Sequence, residues 1–266
     1  MAWYLDAGVD ECIGETAINR FDRPPAEPAS APQSKKAVAQ AAPATAPLAT
    51  SELKPSAAAP PAQTEALRDA VHLAKAATSV AELRVALEAF DGCALKRTAT
   101  NTVFVDGHED ARLILIGEAP GAEEDRQGLP FVGPSGKLLD AMLASIGLDR
   151  DRVLIGNTVF WRPPGNRTPT LAEVAVCQPF MERLIEIVDP AAVVALGRSA
   201  ANTLLGRADS MGRLRGRWFE YQSTGLTRPV PFTALFHPAY LLRTPAQKRL
   251  AWRDLLAIKR KLLDIP

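Results

Sequence analysis

Residues 113–139, LILIGEAPGAEEDRQGLPFVGPSGKLL, combine an apolar strand, a bent loop and the start of a helix. The four large apolar residues at 113–116 predict a strand that is buried on both faces. Gly117 ends this run, Glu118 opens a loop rich in glycine and proline, and Phe131 lies later in that loop. Open parallel sheets bind ligands where their strands end. A carboxylate and an aromatic ring at this point therefore predict a site for a flat polar ring.

Strand and helix patterns alternate along the rest of the chain. Further buried strands are predicted at the apolar runs 153–157, 192–196 and 230–236. Helices are predicted where apolar residues recur at helical spacing, within 64–90 and at 135–146, 171–187, 199–205 and 246–263. Shorter strands are expected at 102–105 and 213–221. This alternation predicts an α/β fold, a single three-layer α/β/α domain around a central, mostly parallel sheet.

The N-terminal quarter of the chain has a different composition. Residues 1–20 form a short N-terminal segment that we expect to dock on another surface. Residues 21–66 are rich in alanine and proline and contain few large apolar side chains, so we expect a disordered linker. The folded domain is expected to occupy residues 67–266.

Charge and cysteine usage narrow the class of protein. The net charge is only +1, yet residues 201–266 contain 12 basic and four acidic side chains, which favours a local phosphate-binding face. The three cysteines, Cys12, Cys93 and Cys177, are far apart and odd in number, which argues against a disulfide framework. No apolar run is long enough for a membrane helix. We therefore expect a cytoplasmic, monomeric protein.

Several motifs occur in a fixed order between about residue 90 and residue 262. They are GEAPG at 117–121, PFVG at 130–133, RPPGNR at 162–167, HPA at 237–239 and LLR at 241–243. With these motifs the chain resembles the family 4 uracil-DNA glycosylases. The resemblance implies a DNA repair enzyme that flips uracil out of single- or double-stranded DNA and hydrolyses its N-glycosidic bond. The product would be an abasic site.

The resemblance assigns uracil binding to Gly117, Phe131 and Asn157. A carboxamide at Asn157 can pair with N3–H and O4 of uracil at once, whereas cytosine presents the reversed pattern. Phe131 would stack on the flipped base. Backbone N–H groups around Gly117 would add an oxyanion contact. The alternatives are an asparagine that caps a turn and a phenylalanine that belongs to the core.

Two charged or polar side chains are candidates for the chemical step. A ring N–H of His237 would donate to uracil O2 as negative charge develops there. Glu118 would hold the attacking water or stabilise the cationic sugar. The neighbouring acids at 123–125 are expected to cap the loop and the following helix. A histidine that follows a strand is otherwise most often structural.

Six residues are candidates for contacts with DNA outside the base-binding site. Arg243 is placed to enter the duplex as the base leaves it, with Leu241 or Leu242 as an apolar wedge. An ordinary helix start explains Leu241 equally well. Phosphate binding is expected from basic residues near the other motifs, Arg162, Arg167 and Lys248.

The chain departs from the family at its metal ligands. Family 4 enzymes hold a [4Fe–4S] cluster with four cysteines, of which only Cys93 and Cys177 are present here. Lys96 and Trp161 occupy the other two positions. Because two thiolates cannot supply four ligands, we expect no cofactor. The alternative is that a 4Fe–4S cluster is retained with Cys93 and Cys177 alone. Trp161 is expected to pack over both cysteines.

Two other functions fit parts of the pattern. A non-catalytic DNA-binding or damage-scaffold protein could share the fold without the chemistry. A nucleotide-binding protein could use the glycines at 117–121 to cradle phosphate. That second reading lacks the Gly-Lys-Ser/Thr ending of a P-loop.

Overall fold

The computed structural model describes residues 61–265. The docking segment predicted at 1–20 and the part of the linker at 21–60 lie outside the described residues. Helix α1 (Pro61–Ala76) begins inside the predicted linker, so the linker prediction is wrong for residues 61–66. Its small buried residues, Ala70 and Ala74, let α1 pack closely against helix α5 (Leu171–Val188). This tertiary packing was not visible in the local alanine- and proline-rich composition.

A six-stranded sheet forms the centre of the described part of the chain, in the order β1-β3-β2-β4-β6-β5. The strands are β1 (Val105–Gly107), β2 (Leu113–Gly117), β3 (Val153–Asn157), β4 (Ala192–Leu196), β5 (Phe219–Tyr221) and β6 (Val230–Leu235). The four inner strands β3, β2, β4 and β6 run parallel, whereas the edge strands β1 and β5 are antiparallel to their neighbours. The predicted mostly parallel sheet is confirmed.

Helices connect and flank these strands. They are α1, α2 (Val80–Ala89), α3 (Ala122–Gln127), α4 (Pro134–Ser145), α5 (Leu171–Val188), α6 (Arg198–Leu205), α7 (Met211–Leu214), α8 (Pro238–Arg243) and α9 (Lys248–Asp264). Helix α2 is capped by Ser79, whose hydroxyl accepts the N–H of Glu82 at 3.2 Å. Between residues 61 and 265, no helix combines the length and the apolar character needed to span a membrane.

Side chains on successive strand residues point to opposite faces and build two core layers. On β2, Ile114 and Ile116 belong to a cluster that also contains buried residues of α1, α2 and α5. Leu113 and Leu115 belong to a second cluster with buried residues of α4 and α9. The sheet is thus covered on both faces, which confirms the three-layer architecture.

Two short predicted strands are corrected by the structure. Strand β1 spans Val105–Gly107, whereas the strand predicted at 102–105 begins three residues earlier and ends at Val105. The predicted strand at 213–221 is helical up to Leu214, and only its last three residues form β5. Arg215, in the middle of that region, lies outside β5, and its guanidinium is 2.7 Å from the Asp254 carboxylate of α9.

The parallel strands bring their C-terminal ends to one side of the sheet, which we call the carboxyl edge. Gly117, at the end of β2, pairs in register with Asn157 at the end of β3. Strand β4 lies on the other side of β2, and β6 lies beyond β4 and ends just before His237. Side chains from distant segments therefore converge at the carboxyl edge.

Candidate active site

Asn157 is the most deeply buried polar side chain at the carboxyl edge, with 1% of its surface exposed. Neither its Nδ2 nor its Oδ1 atom has a hydrogen-bond partner within the described part of the chain. A buried polar group without a partner costs about 1–3 kcal/mol. The geometry therefore suits a ligand that offers a donor and an acceptor side by side.

Gly117 brings Asn157 and Phe131 to the same space. A Cβ atom at Gly117 would lie 2.5 Å from Oδ1 of Asn157 and 2.6 Å from Cζ of Phe131. Both distances are too short for any side chain, and both neighbours are themselves packed. The glycine at the strand end is therefore required so that the amide and the ring can both lie against the end of β2.

Phe131 belongs to the core and also lies among the candidate site residues. Its side chain is only 5% exposed and belongs to the core cluster between the sheet, α4 and α9, so the core alternative is correct in part. Its ring centroid nevertheless lies 5.6 Å from that of His237, with 32° between the two planes. The Phe131 ring is thus held beside His237 and, at Gly117, beside Asn157.

His237 sits at the start of α8 with a defined pattern of ring hydrogen bonds. Its Nδ1 atom accepts the N–H of Ala239 at 3.1 Å, so the neutral ring carries its proton on Nε2. Burial lowers the pKa of His237 to about 4, and the positive charge of Arg243 acts in the same direction, against Glu124. At neutral pH the imidazole is an uncharged N–H donor. This is the form that could donate to a carbonyl oxygen.

Gly197, which no sequence pattern had linked to the site, makes room for His237. It follows β4 with a φ of +100°, and a Cβ atom there would lie 3.2 Å from Cβ of His237. A side chain at this position would be strained and crowded at once. The end of β4 and the start of α8 can therefore approach each other closely.

Glu118 follows β2 and has one buried carboxylate oxygen, Oε1, without a hydrogen-bond partner among the described residues. Its main chain is fixed: its carbonyl accepts the Thr158 hydroxyl at 2.7 Å and the Val159 N–H at 3.2 Å. A fixed backbone with an available acceptor is suited to orienting a water molecule.

Of the three acids at 123–125, Glu124 and Asp125 bind backbone N–H groups of loops, whereas Glu123 pairs with Arg126 of its own helix. The Glu124 carboxylate accepts the N–H groups of Gly121 at 3.1 Å, Val132 at 3.0 Å and Gly133 at 2.9 Å. The Asp125 carboxylate is buried and accepts the N–H of Thr100 at 2.8 Å. Glu124 thus closes the loop that carries Phe131 onto the first turn of α3.

The predicted wedge needs a correction. Leu241 is 1% exposed and packs in the core cluster beneath α8, so its prediction as a DNA-inserting residue is wrong. The next residue, Leu242, is 43% exposed because one step along a helix turns the side chain away from the core. Arg243 is also exposed at the end of α8.

The three predicted phosphate-binding residues differ in their surroundings. Arg167 forms an ion pair with Glu173 at 2.6 Å, and this contact lowers the pKa of the Glu173 carboxyl to about 2. A phosphate would have to compete with that carboxylate. The Nε of Arg162 donates to Asn166 at 2.7 Å, and Lys248 is exposed at the start of α9.

The residues at the expected metal site do not fit a four-cysteine cluster. Cys93 and Cys177 are free, buried thiols, and burial raises the pKa of Cys177 well above its usual range. At the second ligand position, the Lys96 ammonium binds the carbonyls of Glu88 at 2.6 Å and Phe90 at 3.1 Å. Within residues 61–265, no three His, Cys, Asp or Glu side chains are grouped to hold a metal ion.

Trp161 stands at the third ligand position as a core residue. It is 1% exposed and lies in the same hydrophobic cluster as both cysteines. Its indole N–H donates to the Thr102 hydroxyl at 3.0 Å. A satisfied, buried indole therefore contributes apolar packing where a thiolate ligand would be required.

Comparison with known proteins identifies the family. Residues 104–256 match the model of the uracil DNA glycosylase superfamily. The type-4 uracil-DNA glycosylase of Archaeoglobus fulgidus is 43% identical over 157 residues, which is 58% of this chain and 78% of that protein. The type-4 enzyme of Thermotoga maritima is 42% identical over 152 residues, 57% of this chain and 77% of that protein. That of Pyrobaculum aerophilum is 37% identical over 169 residues, 62% and 85% respectively. The chain belongs to the uracil DNA glycosylase superfamily, with type-4 enzymes among its relatives.

Proposed function

We propose that this protein releases uracil from DNA by hydrolysing the bond between C1′ of the sugar and N1 of the base. The observation that carries this proposal is the buried carboxamide of Asn157, whose donor and acceptor have no partner among the described residues. The Phe131 ring lies beside it at Gly117, the neutral imidazole of His237 lies beside that ring, and the Glu118 carboxylate follows Gly117 in the chain. Family membership agrees with DNA as the substrate.

Recognition rests on Asn157 and Phe131. The carboxamide accepts from N3–H of uracil through Oδ1 and donates to O4 through Nδ2. Cytosine offers an acceptor at N3 and a donor at its exocyclic amine, so it would leave both Asn157 atoms unpaired while the amide keeps this orientation. Phe131 stacks on the flipped ring and compensates part of the cost of leaving the duplex stack.

Chemistry rests on His237 and Glu118. As the C1′–N1 bond breaks, its electron pair moves onto the uracil ring, and Nε2–H of His237 donates to the anionic O2. Glu118 orients a water molecule whose oxygen attacks C1′, and its negative charge stabilises the cationic sugar. Uracil leaves as the anion with the bonding electrons, C1′ gains the hydroxyl group of the water, and the other proton of the water passes through the Glu118 carboxylate to the departed base or to solvent.

We further propose that the protein works without an iron–sulfur cluster. Lys96 and Trp161 make specific contacts at two of the ligand positions, and the two remaining cysteines cannot supply the four ligands of a cluster. Anaerobic purification should yield protein without stoichiometric iron and sulfide and without broad visible absorption. Stoichiometric iron would contradict this. A monomeric state and a cytoplasmic location stay predictions.

Oligonucleotides with uracil opposite adenine, opposite guanine or unpaired would test the activity. We expect abasic sites, detected as strand breaks after alkali, and these would exclude a non-catalytic DNA-binding protein. His237→Ala should lower the single-turnover rate by about 10²–10³-fold, the usual effect of losing one oxyanion donor. Binding of uracil DNA should change little.

His108→Ala is the matched control. The Nδ1 of His108 accepts the N–H of the residue two positions later at 3.1 Å, as in His237. His108 follows β1, which runs antiparallel to β3, so it lies at the side of the sheet opposite the carboxyl edge. Its substitution should leave the rate unchanged. A chain that binds uracil DNA without ever producing an abasic site would refute the proposed activity.

A further inference from the structure

Phe131 is held in an unusual backbone conformation. Among the described residues, the non-glycine positions with positive φ are Phe131 at 54°, Asn166 at 55° and Asp189 at 42°. Asparagine and aspartate tolerate this region, but a phenylalanine there needs support from its surroundings. The ring that would stack on the base therefore depends on groups that hold its main chain.

Arg150 provides that support from one side. Its guanidinium donates to the carbonyls of Pro130, at 3.2 Å, and of Phe131. The same group is anchored by the Asp140 carboxylate at 2.8 Å and the Asp106 carboxylate at 2.5 Å. A planar guanidinium has several donors in fixed directions, so it can bind two carbonyls and two carboxylates together.

Glu124 holds the other side of the same segment. Its carboxylate accepts the N–H groups of Val132 and Gly133, whereas Arg150 binds the two carbonyls just before them. The peptide groups on both sides of Phe131 are thus fixed by opposite charges. Helix α4 adds a further constraint, because a Cβ atom at Gly136 would lie 1.6 Å from the Phe131 carbonyl oxygen.

We propose that Arg150 is a positioning residue for base stacking, which acts by holding the Phe131 ring at the carboxyl edge. This inference rests on the proposed function, since it specifies how the stacking surface is kept in place. Asp106 and Asp140 hold Arg150 in turn. Without the guanidinium, the Phe131 peptide is free to return to the common negative-φ region, and the ring leaves its place beside His237.

A double-mutant cycle tests whether Arg150 acts through Phe131. We expect Arg150→Ala to lower the single-turnover rate of uracil release by about tenfold or more, which corresponds to the loss of one stacking contact. In a Phe131→Ala background the same change should cost less than about twofold. Equal losses in both backgrounds would show a general structural role and overturn the proposal.

Two further variants separate positioning from stability. Arg152→Ala is the matched control, because Arg152 is exposed in the same short helical turn (Arg150–Arg152) and should leave the rate unchanged. Arg150→Lys keeps the charge but cannot bind four acceptors, so it should fold and show an intermediate loss. Rates are compared below the unfolding temperature of the least stable variant. A fully active Arg150→Lys enzyme would overturn the proposal.

A second readout does not depend on catalysis. The chain has only three histidines, so the imidazole proton signals of His72, His108 and His237 can be resolved by NMR. The Phe131 ring, 5.6 Å from His237, shifts the His237 signal by its ring current. We expect Arg150→Ala and Phe131→Ala to move this signal in the same direction and to leave the other two in place.

The two readouts distinguish the possible failures. A His237 signal that is unchanged in Arg150→Ala would overturn the positioning role even if the enzyme releases uracil. A moved signal in a chain that releases no uracil would refute the proposed function and leave the role of Arg150 in holding Phe131 intact.

Discussion

At the scale of single residues, the site depends on the protonation state of His237. Burial holds the pKa of this side chain at about 4, so the donor at Nε2 is present and uncharged throughout the neutral range. In the unfolded chain the same group has a pKa near 6.5. The folded protein therefore binds fewer protons than the unfolded one between these two values.

The pH dependence follows from this difference. The single-turnover rate should show no step from the titration of His237 near pH 6.5. It should fall only as the pH drops through about 4, where the folded protein protonates this ring. The contribution of His237 to the free energy of unfolding should decrease as the pH falls from 6.5 towards 4, because the unfolded state gains the proton first. NMR titration of the His237 ring checks the pKa directly. A midpoint at 6.5 in the folded protein would contradict the neutral-donor mechanism.

Asn157 determines which base is accepted. Asn157→Ala should lower uracil release by roughly 10- to 100-fold, because it removes both hydrogen bonds to the base. Asn157→Asp should also slow uracil release and should admit some cytosine release, since a carboxylic acid presents a different hydrogen-bond face. Assays on matched uracil and cytosine oligonucleotides measure both effects. Unchanged uracil release in Asn157→Ala would remove this residue from the site.

At the scale of elements, the end of β2 has no room for a side chain. Gly117→Ala should place a methyl group 2.5 Å from the Asn157 amide and 2.6 Å from the Phe131 ring. Because both neighbours are buried, we expect at least a tenfold loss of the single-turnover rate and a loss of stability of about 1–3 kcal/mol. Gly147→Ala is a useful contrast: its Cβ atom meets nothing within 4 Å, and its cost comes only from a φ of +82°. A fully active Gly117→Ala enzyme would show that Asn157 and Phe131 leave more space at Gly117 than these distances indicate.

Elements with a strong local pattern were predictable from the sequence, whereas those set by distant contacts were not. The buried strands predicted at 153–157 and 192–196 match β3 and β4. A run of consecutive apolar residues predicts a buried strand without any knowledge of distant contacts. The region 213–221 is mostly not a strand: its first residues end a short helix, and Arg215 binds Asp254 of α9, a contact that has no trace in the local sequence.

Site residues were likewise predictable only where the local sequence marks them. Glu118, Phe131, Asn157 and His237 lie in motifs that end strands or bend loops, so their sequence positions indicated a site. Arg150 carries no such signal: it reaches Phe131 across nearly twenty residues, and only the fold brings them together. Leu241 was mistaken for a wedge because a six-residue helix shows too few turns to reveal its buried side.

At the scale of the whole molecule, the described domain holds every residue assigned to the site. Deleting residues 1–60, so that the chain starts at α1, should therefore leave uracil release within about twofold of the full chain. The helix begins at Pro61, and a start after that residue would cut into α1. Rates and thermal unfolding of the two chains check this. A large loss of turnover with an unchanged unfolding temperature would show that the N-terminal segment contributes to catalysis.

The order of strands in the sheet also determines when the site can form. Leu113 of β2 pairs with Ala192 of β4, about eighty residues later, and Val193 pairs with Phe232 of β6, about forty residues further on. Contacts between such distant segments form late in folding, because long loops must close first. During synthesis, β2 and β3 emerge long before β6, and His237 emerges after all of them. An incomplete chain on the ribosome can thus present Glu118 and Asn157, but it has no donor for the departing base until its last strand has been made.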